Sequence, residues 1–117
     1  MTLFDSTSLV LQKAMSGAAM RQSVLSSNLA NANTPGYVRK DVDFSGALQD
    51  AMADGRDLES VQFSPVEDTS SAMRADGNGV DVDVEASNQA QNELSYEALV
   101  GVSGARLDIL RYAMGIR

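Results

Sequence analysis

An apolar repeat of 3.5 residues in the first third of the chain constrains the fold more than any other feature. Alternate steps of four and three residues lead from Phe4 to Ala32 through nine positions, of which seven are apolar. A repeat held this long is typical of a helix that packs along a partner, as in a coiled coil. No proline occurs before Pro35, so the pattern predicts one helix from Ser6 to about Ala32. Its expected packing residues are Leu11, Met15, Ala18, Leu25 and Leu29.

A second apolar repeat runs through the last third of the chain. Asp81 and Asp83 are candidate caps and Glu85 lies in the expected first turn, where acidic residues favour a helix start. Two neighbouring seams follow and form one broad apolar stripe, which favours contact with more than one helix. The expected packing residues are Tyr96, Leu99, Val100, Val102, Leu107, Ile109, Leu110 and Met114.

The segment between these helices has no long period. Ser45 to Asp54 predicts a short helix, while the rest indicates loops with at most short strands. Val80, Val82 and Val84 alternate with acidic residues, a pattern that suits a short strand as well as the lead-in to a helix.

The predicted fold is therefore mainly α, with the long N- and C-terminal helices packing as a coiled-coil-like pair. An irregular middle segment with at most short β-strands joins them. The predicted division is 1–33 for the first helix, 34–80 for the turn, short helix and acidic linker, and 81–117 for the last helix.

Composition excludes several classes of function. The 117 residues include no cysteine and no histidine, so disulfides, thiolate metal sites and the commonest pairs of nucleophile and base are impossible. DGNGVDVDVE does not fit an EF-hand loop. Counted from Asp76, the fifth position should hold an oxygen ligand, the sixth glycine and the twelfth glutamate, but they hold Val80, Asp81 and Ser87. We predict no catalytic residue, cofactor or metal, and neither a cleavable signal peptide nor a membrane span.

The charge of -7 is unevenly distributed. Residues 41–97 carry -12, residues 1–40 carry +3 and residues 98–117 carry +2. The middle is either a solvated acidic surface or a surface that meets the basic ends of another copy. With no basic stripe, nucleic-acid binding is not expected.

Glycines within both predicted helices require an explanation. Gly17, Gly101 and Gly104 each lower helix stability by about 1 kcal/mol relative to alanine. They are either a surface that another backbone approaches closely or tolerated kinks, and the sequence leaves both open.

The first helix ends in the segment NLANANTPGY. Asn31 and Asn33 suit a helix end, since asparagine bonds to nearby backbone and tolerates left-handed conformations. Pro35 and Gly36 are typical of the centre of a type II turn. These rules do not account for Asn28, one turn inside the helix.

The stretch SSNLANANTPGYVRKDVDF resembles the signature of the flagellar basal-body rod proteins, and the last helix with the DGNGVDVDVE before it resembles their C-terminal segment. The short chain and the uninterrupted TPGY are similar to the proximal rod type. The family motif consists of Asn28, Asn31, Asn33, Thr34, Pro35, Gly36 and Tyr37.

The resemblance implies a structural subunit that is exported by the flagellar type III apparatus without signal cleavage and polymerises into the periplasmic rod. The rod would transmit torque and enclose part of the export channel. Implied partners are other rod proteins, rod-adaptor and membrane-ring proteins, the export apparatus and further copies of the chain. From the residues alone, a soluble coiled-coil adaptor or secretion chaperone is the main alternative.

Overall fold

A computed structural model describes residues 6–69 and 79–115 of the chain. Phe4 at the start of the first repeat, Asp76 and Asn78 of the DGNG segment, and the last two residues lie outside these ranges. The elements in chain order are α1 (Ser6–Ala30), β1 (Lys40–Asp41), α2 (Phe44–Ala53), a single 3₁₀ turn (Leu58–Ser60), β2 (Val66–Glu67) and α3 (Val82–Ala113).

The two long helices form an antiparallel hairpin, which confirms the predicted fold class. Near one end of the hairpin Gln89 donates a hydrogen bond to Ser26 (2.8 Å), and towards the other Ser103 lies 3.9 Å from the sulfur of Met15. The molecule is long and flat, with extents of 61 × 33 × 15 Å and a radius of gyration of 17.6 Å. A compact chain of this length would have a radius near 13 Å, so little of the chain lies far from solvent.

The hydrophobic core is small and belongs mostly to α1 and the middle segment. Leu25 is the largest of its fully buried apolar side chains, and the others are alanine, valine or one further leucine, Leu48. In the 32 residues of α3 the buried residues are polar, Glu85 and Asn92. The fully buried contacts that α3 makes in the hairpin are therefore polar.

The face of α3 towards α1 follows a heptad spacing that takes residues from the two predicted seams in turn, Leu99 from one and Leu110 from the other. Glu85 and Asn92 are buried on it, and the partly buried residues that continue the spacing are Gln89, Leu99, Ser103, Arg106 and Leu110. Many of the large apolar side chains beside this line remain exposed.

The middle segment packs on one side of α1. Asp43 caps α2 by accepting a hydrogen bond from the Gly46 amide at 2.9 Å, and Phe44 then covers Gly17 of α1. A Cβ atom at Gly17 would lie 2.4 Å from Cβ of Phe44. Of the two possibilities for this glycine, the structure supports close approach, although the neighbour is a side chain of α2.

The predicted short strands are present as one antiparallel pair. Lys40 pairs with Glu67 and Asp41 with Val66. The alternating valines do not form a strand: Val80 is buried ahead of α3, Asp81 is the N-cap, and the helix begins at Val82.

Candidate functional site: the joint at the end of the first helix

The side chain of Asn28 is the centre of the joint between α1, β1 and α3. Its Nδ2 donates to the Lys40 carbonyl at 2.7 Å and to the Glu85 carboxylate at 3.2 Å. Its Oδ1 accepts from the Lys40 amide at 3.0 Å and from the Tyr37 hydroxyl at 3.1 Å. Asn28 is completely buried, and these four bonds use the full capacity of an amide side chain.

The side-chain amide of Asn28 pairs with the backbone of β1. It bonds both the N–H and the C=O of Lys40, as a neighbouring strand would. An aspartate could not donate to the Lys40 carbonyl and would place a second carboxylate against Glu85. The position therefore requires an amide, which explains the residue that local helix rules did not.

A cluster of buried and partly buried charges continues the joint. The Arg39 guanidinium donates from Nε to Glu85, from Nη1 to Asp68 at 2.5 Å and from Nη2 to Asp41 at 3.1 Å. Asp41 also accepts from Arg21 of α1 at 2.8 Å. One guanidinium thus ties β1 to β2 and to the first turn of α3, and Arg21 ties the same cluster to α1.

Burial and pairing act against each other on the ionisation of this cluster. Burial alone would lower the pKa of Arg39, but its hydrogen bonds to Glu85 and Asp41 outweigh burial, and the pKa is raised. Burial alone would raise the pKa of Asp41, but hydrogen bonds from Arg21, the Val42 amide and Arg39 lower it. Both groups are held in their charged forms, as expected for a fully hydrogen-bonded buried ion pair.

The remaining motif residues form the turn that brings Tyr37 back onto α1. The Tyr37 amide bonds to the Thr34 carbonyl at 3.2 Å and Gly36 has φ +76°, which confirms a type II turn around Pro35 and Gly36. Asn31 bonds through its side chain to the Ser27 carbonyl at 2.9 Å. That bond confirms the expected backbone contact.

Two details at the end of α1 differ from expectation. The helix ends at Ala30 instead of about Ala32, because the chain tightens into short turns, with the amides of Ala32 and Thr34 bonding three residues back. Among the described residues only glycines have positive φ, so Asn31 and Asn33 do not adopt left-handed conformations. Asn33, Thr34, Pro35 and Gly36 are exposed on the outside of the turn.

The predicted packing residues of the two helices differ in burial. On α1 all five are buried or partly buried within the single chain. On α3 Leu99 and Leu110 are partly buried, whereas the others are exposed, from 39% for Tyr96 to 67% for Ile109. The exposed set is Tyr96, Val100, Val102, Leu107, Ile109 and Met114.

A second buried amide lies further along the hairpin. Asn92 of α3 donates to the Ala18 carbonyl and to the Gln22 side chain, both at 2.8 Å. Its Oδ1 is buried and has no hydrogen-bond partner within residues 6–69 and 79–115. A buried polar pair at such a position lowers stability but specifies the register of two helices.

Sequence reasoning did not find the charge cluster or Asn92. Arg39 and Asp41 are two residues apart in an extended segment, so their shared face was a usable signal. Their partners were not foreseeable, because Asp68 and Glu85 are 29 and 46 residues from Arg39 along the chain. We expected Glu85 only to favour the start of a helix.

The joint connects α1, β1 and α3 through hydrogen bonds and ion pairs. Its charged groups are bonded to one another, and no group of three or more potential metal-ligating side chains occurs in residues 6–69 and 79–115. Within those same ranges, no helix is both long and apolar enough to cross a membrane.

Comparison with known proteins identifies a family whose model covers the first part of this joint. The model of the family described as "Flagella basal body rod protein" matches residues 9–37, which run from α1 to the tyrosine of the turn. Relatives include "Flagellar basal body rod protein FlgB" of Yersinia enterocolitica, 36% identical over 82% of this chain and 84% of the relative. The proteins of the same name in Bacillus subtilis (strain 168) and Escherichia coli (strain K12) are 34% and 36% identical, over 95% and 80% of this chain and 95% and 82% of theirs.

The chain belongs to the flagellar basal body rod proteins. It is a structural component of the flagellar basal body that associates with other rod components, and it is not an enzyme. Within the family it is a rod protein of the FlgB type.

Proposed function

We propose that the chain is a subunit of the proximal rod and polymerises with other copies and other rod proteins through its two long helices. The observation that carries this proposal is the apolar surface of α3. Over 32 residues the helix buries only Glu85 and Asn92, while Leu107 and Ile109 are 60% and 67% exposed. Exposed apolar surface of this extent is typical of an interaction site.

The hairpin joint supports the same function by giving neighbouring helices a defined surface. Asn28 and Arg39 hold the start of α3 beside the end of α1. The remaining part of α3, with its exposed apolar side chains and the glycines Gly101 and Gly104, then extends from a fixed base. Apart from the adjoining backbone of α3 itself, no atom of the described residues lies within 4 Å of a Cβ built at either glycine, so a neighbouring helix can approach both positions closely.

Assembly through such surfaces is heterologous, which generates an open helical polymer unless the rotation closes. In the rod we propose that the helices line the wall of the export channel and transmit torque along the rod axis. The chain would reach the periplasm through the flagellar export apparatus without signal cleavage, and there contact rod-adaptor and membrane-ring proteins.

Fractionation of a flagellated cell tests this proposal. The tagged wild-type chain should co-purify with intact basal bodies, and Leu107→Asp should be exported but absent from them. Leu25→Asp is the contrasting variant, because Leu25 is completely buried and its loss should unfold the chain. A chain that stays in the cytosol as a stable dimer would contradict the proposal and favour an adaptor or a secretion chaperone.

A further inference from the structure

An open groove of about 600 Å³ lies between α1, the β1–β2 pair and the start of α2. Four carboxylates and one guanidinium line it, together with Phe44 and the 66% exposed side chain of Val66. The groove is therefore acidic, with an apolar part. Its charged residues are Arg21, Asp41, Asp43, Glu67 and Asp68.

Part of this negative charge is neutralised within the chain, and part is not. Arg21 and Arg39 bind Asp41, and Arg39 also binds Asp68. Glu67 lies exposed on β2, and its side chain has no ion-pair partner in the part of the chain that the structure describes. Glu67 is therefore a carboxylate of the groove that is available to a cation from outside.

The far end of α3 has complementary properties. In the described part of residues 98–117, Arg106 and Arg111 exceed Asp108 by one positive charge, and Arg111 is exposed in the last turn of the helix. Tyr112 beside it is 77% exposed and Met114 is 56% exposed. A basic group surrounded by exposed apolar side chains matches an acidic groove that contains exposed valine and phenylalanine.

The groove of a chain cannot receive the end of its own α3. Ser8 and Leu110 line a common cleft, so this end of α3 lies beside the start of α1, whereas the groove lies beside Arg21. Arg21 lies thirteen positions after Ser8 in the helix, a distance of roughly 20 Å. A contact between groove and helix end must therefore join two chains, and it is heterologous because it uses two different surfaces.

We propose that the acidic groove is the docking site for the Arg111–Tyr112 end of α3 from another copy of the chain. This inference rests on the proposed polymerisation and adds a specific contact to it. The side of the helix end enters the groove rather than its tip, because the partial negative charge at a helix C-terminus would be repelled by the carboxylates. Arg111 then lies against Glu67, and Tyr112 covers Val66.

Disulfide cross-linking tests the contact directly, because the chain contains no cysteine of its own. Two differently tagged variants, Glu67→Cys and Arg111→Cys, are produced together in a cell that lacks the wild-type chain. Isolated basal bodies are then treated with a mild oxidant. A disulfide requires Cα atoms within about 7 Å, so a product that carries both tags reports direct contact between chains.

Two matched pairs serve as controls. Asp50 and Arg56 are exposed charged residues outside the groove and outside α3. Asp50→Cys with Arg111→Cys, and Glu67→Cys with Arg56→Cys, should give no product that carries both tags.

The outcomes distinguish this contact from the broader proposal. Basal bodies that contain both variants but form no more cross-link than the controls would overturn the docking site and leave the rod function intact. Cross-linking of the Glu67→Cys chain to a different protein would overturn the choice of occupant. In the fractionation experiment with the tagged wild-type chain, its absence from basal bodies would overturn the rod function and the docking site together.

Charge reversal gives a second test that needs no oxidant. Glu67→Lys and Arg111→Glu should each lower incorporation into basal bodies about two- to fivefold, the range expected for an exposed ion pair. Incorporation of the double variant should return towards the wild-type level, because its two charges are exchanged but still opposite. Asp50→Lys and Arg56→Glu should have no effect, and a double variant no better than the weaker single variant would contradict the contact.

Discussion

Replacement of Asn28 by leucine separates the role of the buried amide from that of helix propensity. Leucine is a better helix former than asparagine, and its size is similar. The substitution removes all four hydrogen bonds of the amide. The amide and carbonyl of Lys40, the Tyr37 hydroxyl and one oxygen of Glu85 then lose a partner.

The expected loss of stability follows from these bonds. A neutral hydrogen bond contributes about 1 kcal/mol, and a bond to a charged group about 2 kcal/mol. The apolar surface that leucine buries returns about 1–2 kcal/mol. We therefore expect the free energy of unfolding to fall by about 3–4 kcal/mol, a large part of the stability of a small domain.

Urea unfolding of the purified chain, followed by circular dichroism, measures this loss. With a slope of about 1–3 kcal/mol per molar urea, the midpoint should fall by roughly 2 M. Asn33→Leu is the matched control, because Asn33 belongs to the same motif but is exposed, and it should change the free energy of unfolding by less than about 0.5 kcal/mol.

Equal midpoints for the two leucine variants would refute the reasoning, since Asn28 would then contribute only through local helix structure. Asn28→Asp separates hydrogen bonding from shape. It keeps the volume but cannot donate to Lys40 and places a carboxylate beside Glu85, so it should be about as unstable as Asn28→Leu at pH 7.

Three further predictions follow from the same contacts. Pairing lowers the pKa of Asp41 from its unfolded value of about 3.9. The contribution of this carboxylate to the free energy of unfolding is therefore present above pH 4 and is lost as the pH falls through the lower folded pKa. Asp41→Asn should reduce this loss of stability at acid pH in urea titrations at several pH values, and an unchanged pH dependence would count against the cluster. Gly17→Ala should lower the melting temperature because its Cβ would lie 2.4 Å from Phe44. Gly104→Ala should raise the stability of the isolated chain by up to about 1 kcal/mol and yet reduce incorporation into basal bodies. A higher melting temperature for Gly17→Ala than for Gly104→Ala would contradict the packing. Hydrogen exchange of the backbone amides of the isolated chain should be slow around Leu25 and fast in residues 99–113, where the helix has no fully buried residue. Uniform protection of α3 would show that the monomer buries the apolar surface of this helix by itself.

Much of the fold could be predicted from local rules. The helices at Ser6–Ala30, Phe44–Ala53 and Val82–Ala113 follow from the apolar repeats and from the caps Asp43 and Asp81. The type II turn follows from Pro35 and Gly36. Each of these features depends on residues within a few positions of one another, where propensity and hydrogen-bond geometry decide the outcome.

The candidate site could be predicted only in part. The motif drew attention to Asn28, yet its partners Lys40 and Glu85 are 12 and 57 residues away. The predicted helix pairing was correct at the level of the two helices. Of the residues of α3 that face α1, Leu99 and Leu110 were predicted to pack, whereas Glu85 and Asn92 were on no predicted seam.

The amino-acid sequence by itself determined that two long helices form, where the first one turns, and that cysteine and histidine chemistry is absent. Those properties are local or compositional. Only the tertiary structure decided that Asn28 completes a strand beside Lys40, and that Arg39 joins three carboxylates at the base of the hairpin. The physical reason is that buried polar groups must find partners of suitable geometry wherever the chain brings them, and those partners are set by the packing of distant segments.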